Sequence, residues 1–235
     1  MNRYVLKFRK EGYMRYISHL DLLRLFKRSF SRIGVRLRHS EGFNPHPKMS
    51  FVQPLSLGYI SKGEYLEFET VHPQDVASMQ VRLNAALPEG ISVVAIRTEA
   101  GKKALSARVA CASYTVQFLD GDGGEAFDAG RLCAAIDGFL QQKEILREKK
   151  QKTGKFVTQD IRPMIYALRE NSQENGSVSL TMEVSAGSNC NLNPEVLLTE
   201  LFSYAGLSYP RESLRICRDE MYLQPADGSV KIPII

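Results

Sequence analysis

Residues 3–9 alternate, with Tyr4, Leu6 and Phe8 on one side and Val5, Lys7 and Arg9 on the other, which is the period of a strand. The turn Lys10-Glu11-Gly12 leads into a short return strand, Tyr13 to Ile17. The period then becomes helical. Ser18 offers an N-cap, and Asp21, three residues on, completes a capping-box-like start. Gly34 offers a C-terminal stop after Ile33. Between them Leu22, Phe26, Phe30 and Ile33 form one stripe, flanked by Leu23 and Leu25. Asp21, Arg24, Arg28 and Arg32 gather within about one quadrant of the opposite face.

Strands are predicted at Val35 to His39, Met49 to Leu57 and Glu64 to Val71, the last two joined by a turn around Ser61-Lys62-Gly63. Val76, Met79, Leu83 and Leu87 stripe a helix over Pro73 to Leu87, and Ile91 to Ile96 reads as another strand. The polar segment Arg97 to Arg108, with Lys102 and Lys103, is the best boundary. Beyond it the order recurs. Strand Ser113 to Leu119, the acidic glycine loop Asp120 to Gly124 and helix Phe127 to Leu140 come first. A basic hairpin follows at about Glu144 to Gln159, turning at Lys152-Thr153-Gly154-Lys155. Strands Ile165 to Arg169 and Val178 to Val184, helix Pro194 to Tyr204 and strand Leu214 to Leu223 complete it. Each half reads approximately βαββαβ. The expected class is α+β: tandem ferredoxin-like lobes, residues 1–100 and 108–235, with mainly antiparallel sheets.

With 235 residues, 43% of them hydrophobic, the chain has material for two cores of ordinary size. No apolar run approaches the ~20 residues that span a bilayer, and the start MNRYVLKFRK has no apolar signal region. Cys111, Cys133, Cys190 and Cys217 lie too far apart for a zinc knuckle or the clustered cysteines of a radical enzyme. Reduced cysteines and a cytoplasmic location are expected, with no metal, no cofactor and no membrane attachment.

Charge changes the picture more than composition does. Residues 1–50 carry 12 basic and 3 acidic side chains, leaving 19 basic and 23 acidic for the rest. Such a concentration of positive charge selects polyanions, through steering and counterion release. Arg24, Arg28 and Arg32 share their helix face with one acid, so pairing within the helix cannot neutralise them. Arg36, Arg38 and Lys48 extend the run, and arginine's planar fork suits phosphate. The segment Gly42-Phe43-Asn44-Pro45-His46-Pro47 is braced by two prolines that drive Asn44 and His46 to extended conformations. Phe43, Asn44 and His46 are therefore presented as a base-stacking and hydrogen-bonding loop, or as a partner contact, with a plain rigid turn as the alternative. His19 lies at the first helical turn on the apolar side. His19, His46 and Lys48 are the weak catalytic candidates, and no serine–histidine–acid spacing supports them. The run Lys149 to Lys155 is a solvated hairpin tip or a second phosphate clamp. Gly121, Gly123 and Gly124 are no phosphate loop, since Asp120 and Asp122 flank them and no Gly-Lys-Ser/Thr follows.

Four strings, RYISHLDLLRLFKRSFSRIG, HSEGFNPHPKMSF, PLSLGYISKGEYLEFE and LNAALPEGI, closely resemble the radical-SAM-linked protein family of unknown function. The resemblance covers residues 2–96 most strongly and continues through KFVTQDIRPMIYAL and LRICRDEMYL. Members occur alone or fused behind a radical SAM protein, and this chain, without cluster cysteines, resembles the stand-alone form. The resemblance implies a radical SAM protein as partner, which would carry the iron–sulfur cluster and S-adenosylmethionine. The SHLD helix is also similar to that of the CRISPR repeat-processing endoribonucleases, a likeness of fold alone. The expected function is a non-catalytic, RNA-binding accessory protein of a radical SAM enzyme, acting on tRNA or ribosomal RNA. Two alternatives stand beside it: a protein-only adaptor docking on that enzyme, and a metal-independent endoribonuclease using His19 or His46 with Lys48.

Overall fold

A computed structural model describes residues 2–101, 103–119, 128–150, 154–172, 178–188, 190–223 and 232–235. Contacts divide the chain into two units, residues 1–110 with 217–235, and residues 111–216.

In the first unit the elements run β1 (Arg3–Lys10), α1 (His19–Arg32), β2 (Met49–Phe51), β3 (Ile60–Glu69), α2 (Val76–Ala86) and β4 (Ile91–Thr98). β1 lies between β4 and β3, and β2 pairs with β3, every pair antiparallel; Leu6 faces both Ile96 and Leu66, and Leu66 faces Phe51. This is the split βαβ order of a ferredoxin-like unit. Ser18 caps α1 as expected: its hydroxyl oxygen accepts the Asp21 N–H at 3.1 Å. Leu22, Phe26 and Phe30 are buried, and Phe26 packs edge-on to Phe8 with ring centres 4.9 Å apart. Gly34, at φ +73°, turns the chain out of the helix in a conformation that side-chain-bearing residues rarely adopt.

Four local expectations in this unit fail, the first being the turn around Ser61-Lys62-Gly63, which lies inside β3. Tyr13 to Ile17 is no strand; Gly12–Tyr16 form a 3-10 turn. Val35 to His39 makes only the isolated bridges Leu37–Thr70 and His39–Pro47. β2 stops at Phe51 rather than Leu57. Val52 N–H still bonds Tyr65 carbonyl at 2.9 Å, but Pro54 has no N–H with which to continue the ladder.

The second unit runs β5 (Val109–Phe118), α3 (Ala129–Gln141), β6 (Leu146–Lys150), β7 (Phe156–Asp160), β8 (Ile165–Ser172), β9 (Val178–Ser185) and α4 (Pro194–Tyr204). β9 pairs antiparallel with both β5 and β8, while β6 and β7 form a separate hairpin. Phe139 of α3 meets Tyr204 of α4 edge-on at 5.6 Å. The two units together give an α+β protein with mainly antiparallel pairing and ferredoxin-like strand–helix order. Lys102, the loop Asp120 to Gly124, Phe127 and the hairpin residues Lys152 and Thr153 lie outside the described residues.

The remaining strands, β10 (Leu214–Leu223) and β11 (Ile232–Pro233), depart from the expected boundary, which placed everything after residue 108 in the second lobe. Residues 217–235 belong with the first unit. Cys217 and Arg218 pair in parallel with Ile60 and Ser61, and β11 pairs with β10. The strand comes so close that a methyl group on Gly63 would sit 2.7 Å from Asp219 carbonyl oxygen. Charge holds it there. Arg218 and Glu64 are each 3% exposed, and Arg218 Nη1 donates to Glu64 Oε1 at 3.0 Å and Gln53 carbonyl at 3.1 Å. Its Nη2 donates to Pro54 carbonyl at 3.0 Å.

Lys10 is buried beside this pair. Burial holds its ammonium below the usual value of 10.5, with Glu64 opposing the shift. The unfolded chain therefore binds more protons in the window just below 10.5, and Lys10 makes stability rise as pH climbs through that window. Lys10→Met is expected to raise the melting temperature at pH 7. The difference between variant and wild type should shrink toward pH 10.5; a difference that stays constant with pH would show that Lys10 is comfortably charged in the fold.

Candidate nucleic-acid interface

Helix α1 and the strand-like segment after it place the basic residues on one unit. Arg24 is exposed and paired with Asp21 at 2.8 Å, and the Ser18 hydroxyl, then Arg24, hold that carboxyl below its usual range. Arg32 donates to Ala86 carbonyl at 3.1 Å, and Arg82 of α2 donates in return to Ile33 carbonyl at 2.7 Å. Arg32 thus ties α1 to α2 as well as facing solvent. Lys27, Arg28 and Arg36 are exposed, and among the described residues no carboxylate lies within ion-pair distance of them.

Lys27, Arg36, Arg38 and His39 line a cavity of about 420 Å³ whose lining includes Val35, Leu37, Pro47 and Val71 and no carboxylate. Cations over an apolar floor are what phosphate and sugar require of a protein surface. His39 Nδ1 lies 3.1 Å from Leu37 carbonyl, which fixes the ring. Neither Lys27 nor His39 was among the site residues expected from the sequence. The signal for Lys27 was its spacing, one turn before Ser31 and beside Arg28.

The proline loop is closed by a short stem. Lys48 N–H bonds Arg38 carbonyl at 2.7 Å and Ser40 N–H bonds His46 carbonyl at 2.8 Å. Ser40 Oγ accepts the His46 N–H at 3.1 Å and lies 2.9 Å from its Nδ1. Phe43, Asn44 and Pro45 project from this stem, Phe43 wholly exposed. Because Asn44 and His46 are exposed and the His46 ring makes only the surface contact to Ser40, Asn44→Ala and His46→Ala are expected to change stability by less than ~1 kcal/mol while weakening association with RNA or partner. Melting curves beside binding curves decide it; early unfolding with normal binding would make the loop a brace.

A second cavity, of about 410 Å³, brings His46 and Lys48 together with Arg3, Glu67 and Glu69. His19 is not among its lining. Its ring packs edge-on to Phe51 at 5.2 Å, so the three catalytic candidates do not converge there. Lys48 Nζ and Arg38 Nη1 each lie 3.7 Å from Glu69 Oε2. Glu69 was missed in the sequence, although its alternation with Glu67 around the core residue Phe68 signals a shared strand face.

On the second unit, the β6–β7 hairpin pairs Lys149 with Val157 and Lys150 with Phe156, and Phe156 is exposed. Burial pushes the thiols of Cys133 and Cys217 up to about 12, so neither is a nucleophile at neutral pH. Among the described residues no cluster of three metal-binding side chains occurs, and no helix is long and apolar enough to cross a membrane.

A profile of the family described as "Uncharacterized protein conserved in bacteria (DUF2344)" matches residues 3–194. The chain belongs to this family. The match takes in α1, the proline loop, both cavities and the hairpin, so the basic face lies inside what defines DUF2344. No curated protein matches the sequence. Among solved structures, the chain is similar to one described as "Crystal Structure of a Cbf5-Nop10-Gar1 Complex", at 12% identity and a TM-score of 0.47. That alignment covers 93% of this chain and 48% of the other, so the chain spans about half its length. A likeness of that size carries no functional argument.

Proposed function

We propose that this DUF2344 protein is a non-catalytic RNA-binding protein that serves a radical SAM enzyme, presenting tRNA or ribosomal RNA for modification. One observation carries the RNA part: Lys27 and Arg36, which form no ion pair among the described residues, line a carboxylate-free cavity, and Arg28 stands exposed and unpaired next to Lys27 on α1. Unpaired surface cations repel one another and lower stability, a cost that a polyanionic ligand offsets. The partner enzyme rests on the resemblance of the SHLD and GFNPHP strings to the radical-SAM-linked family, and the enzyme would supply the iron–sulfur cluster and S-adenosylmethionine. A cytoplasmic location follows from that role.

The protein-only adaptor keeps one observation of its own. Tyr13, Tyr16 and Leu20 are exposed, at 89%, 58% and 62%, along the 3-10 turn and the start of α1, and Arg15 stacks on Tyr16 at 4.7 Å. Purification of the tagged chain from its native cells, with and without ribonuclease and across a salt series, separates the two. RNA that is recovered with the chain and released by moderate salt is expected. A radical SAM protein recovered equally after ribonuclease treatment, with no RNA at any salt, would establish the adaptor instead.

A further inference from the structure

We propose that the stem residues 46–48 divide a single nucleotide site, with a phosphate side at Lys27, Arg36 and Arg38 and a base side at Glu69, and that the base taken carries an amino group. The inference rests on the RNA-binding reading and adds which part of an RNA is read: one unpaired nucleotide bearing cytosine, adenine or guanine in preference to uracil.

Pro47 lines both cavities, which are of nearly equal size at about 420 and 410 Å³. Their charges differ in kind, since in the second Arg3 and Lys48 are balanced by two carboxylates. The first holds cations and no carboxylate; the second holds Glu67 and Glu69, two residues apart on β3 and so on one face. The two carboxylates differ in what they still offer. Glu67 has both oxygens engaged, Oε1 accepting from Arg3 and Oε2, at 2.9 Å, from the Leu105 N–H. The Glu69 side-chain carboxylate accepts no hydrogen bond from any described residue, its Oε2 being buried without a hydrogen-bond partner. The cations of Arg38 and Lys48, at 3.7 Å, are beyond hydrogen-bond length yet near enough to offset its charge. A carboxylate whose charge is balanced and whose acceptor sites are empty calls for neutral N–H donors, and it would repel a phosphate placed beside it.

The amino groups of cytosine, adenine and guanine are such donors, and acceptance from the cytosine amino group by Glu is an established mode of base reading. Uracil offers a carbonyl oxygen where cytosine offers an amino group, and its one N–H on that edge, N3–H, is flanked by two carbonyl oxygens that the carboxylate would repel. Such reading requires a base free of its own pair, hence an unpaired nucleotide. The His46 ring, held by Ser40 at the same cavity, gives a face on which the base can stack. Each cavity is of a size that ordinary small-ligand sites have. Arg38 spans the arrangement, lining the phosphate side while facing Glu69.

Anisotropy titration of the full chain with labelled six-nucleotide C6 and U6 RNA tests this. C6 is expected to bind about tenfold more tightly than U6, within the range of one base-edge contact. Glu69→Met, which removes the acceptor, and Ser50→Trp, which fills the base-side cavity from an exposed position, should each bring the ratio to about one. Melting temperature confirms that each variant is folded, and either variant alone suffices if the other is not. Equal wild-type affinities, or a ratio that survives in a folded variant, overturn the base side while RNA binding stands. Binding of neither oligomer overturns the RNA reading and this inference together.

Discussion

Arg218→Ala destabilises the protein by about 3–5 kcal/mol, read as a loss of unfolding free energy in a denaturant titration near pH 7. The guanidinium is buried, and its removal leaves Glu64 as a buried, unpaired carboxylate and takes the donor from Gln53 and Pro54 carbonyls. Burial already pushes the Glu64 carboxyl above its usual 4.5, with Arg218 opposing the shift. Without Arg218 the carboxyl rises further. A raised carboxyl favours the fold below the unfolded value and loses that contribution as pH rises through the folded value. The deficit of the variant should therefore be smallest in acid and grow toward neutrality. The double variant Arg218→Met, Glu64→Leu should recover most of the loss, because it replaces the charges with apolar volume. A single variant within 1 kcal/mol of wild type at every pH would mean that β10 is held by something other than this pair.

That buried pair also marks where the sequence stopped being legible. Helix α1 could be read residue by residue, because its cap, its stripe and its stop are all local signals: Ser18, Phe26 with Phe30, and Gly34. The strands of each unit were legible as a set, since alternation such as Tyr4, Leu6, Phe8 needs no partner to be seen. The return of residues 217–235 to the first unit was not. It depends on Arg218 meeting Glu64, 154 residues away, and on Gly63 admitting Asp219, and neither relation has a local period. Val35 to His39 looked like a strand because Val35 and Leu37 are buried with polar neighbours between, yet the segment makes only bridges. Its Arg38 N–H and Arg36 carbonyl bond the end of β3, and the prolines that follow prevent a longer ladder. The basic residues of the candidate site were visible as a list. Their division into paired (Arg24, Arg38, Lys48), tied to a neighbouring helix (Arg32) and unpaired (Lys27, Arg28, Arg36) is a property of tertiary structure alone.

That division makes the second large prediction specific. Lys27→Ala, Arg28→Ala and Arg36→Ala combined should weaken binding of single-stranded RNA about 100-fold near 0.1 M salt, with the loss fading toward 1 M. Each phosphate contact on a single strand contributes about 0.7 to the slope of log affinity against log salt, so three lost contacts should flatten it by about 2. All three side chains are exposed and bond to no described side chain, so melting temperature should scarcely move. Arg24→Ala serves as the contrast. It removes a charge from the same helix that Asp21 already neutralises, and its effect on the slope should be the smallest of the stripe. If Arg24→Ala costs as much as Arg28→Ala alone, binding follows net charge on the helix and the pairing of Arg24 with Asp21 plays no part. If the triple variant keeps both affinity and slope, the cations serve solubility alone, and the exposed tyrosines of the 3-10 turn become the surface through which this protein acts.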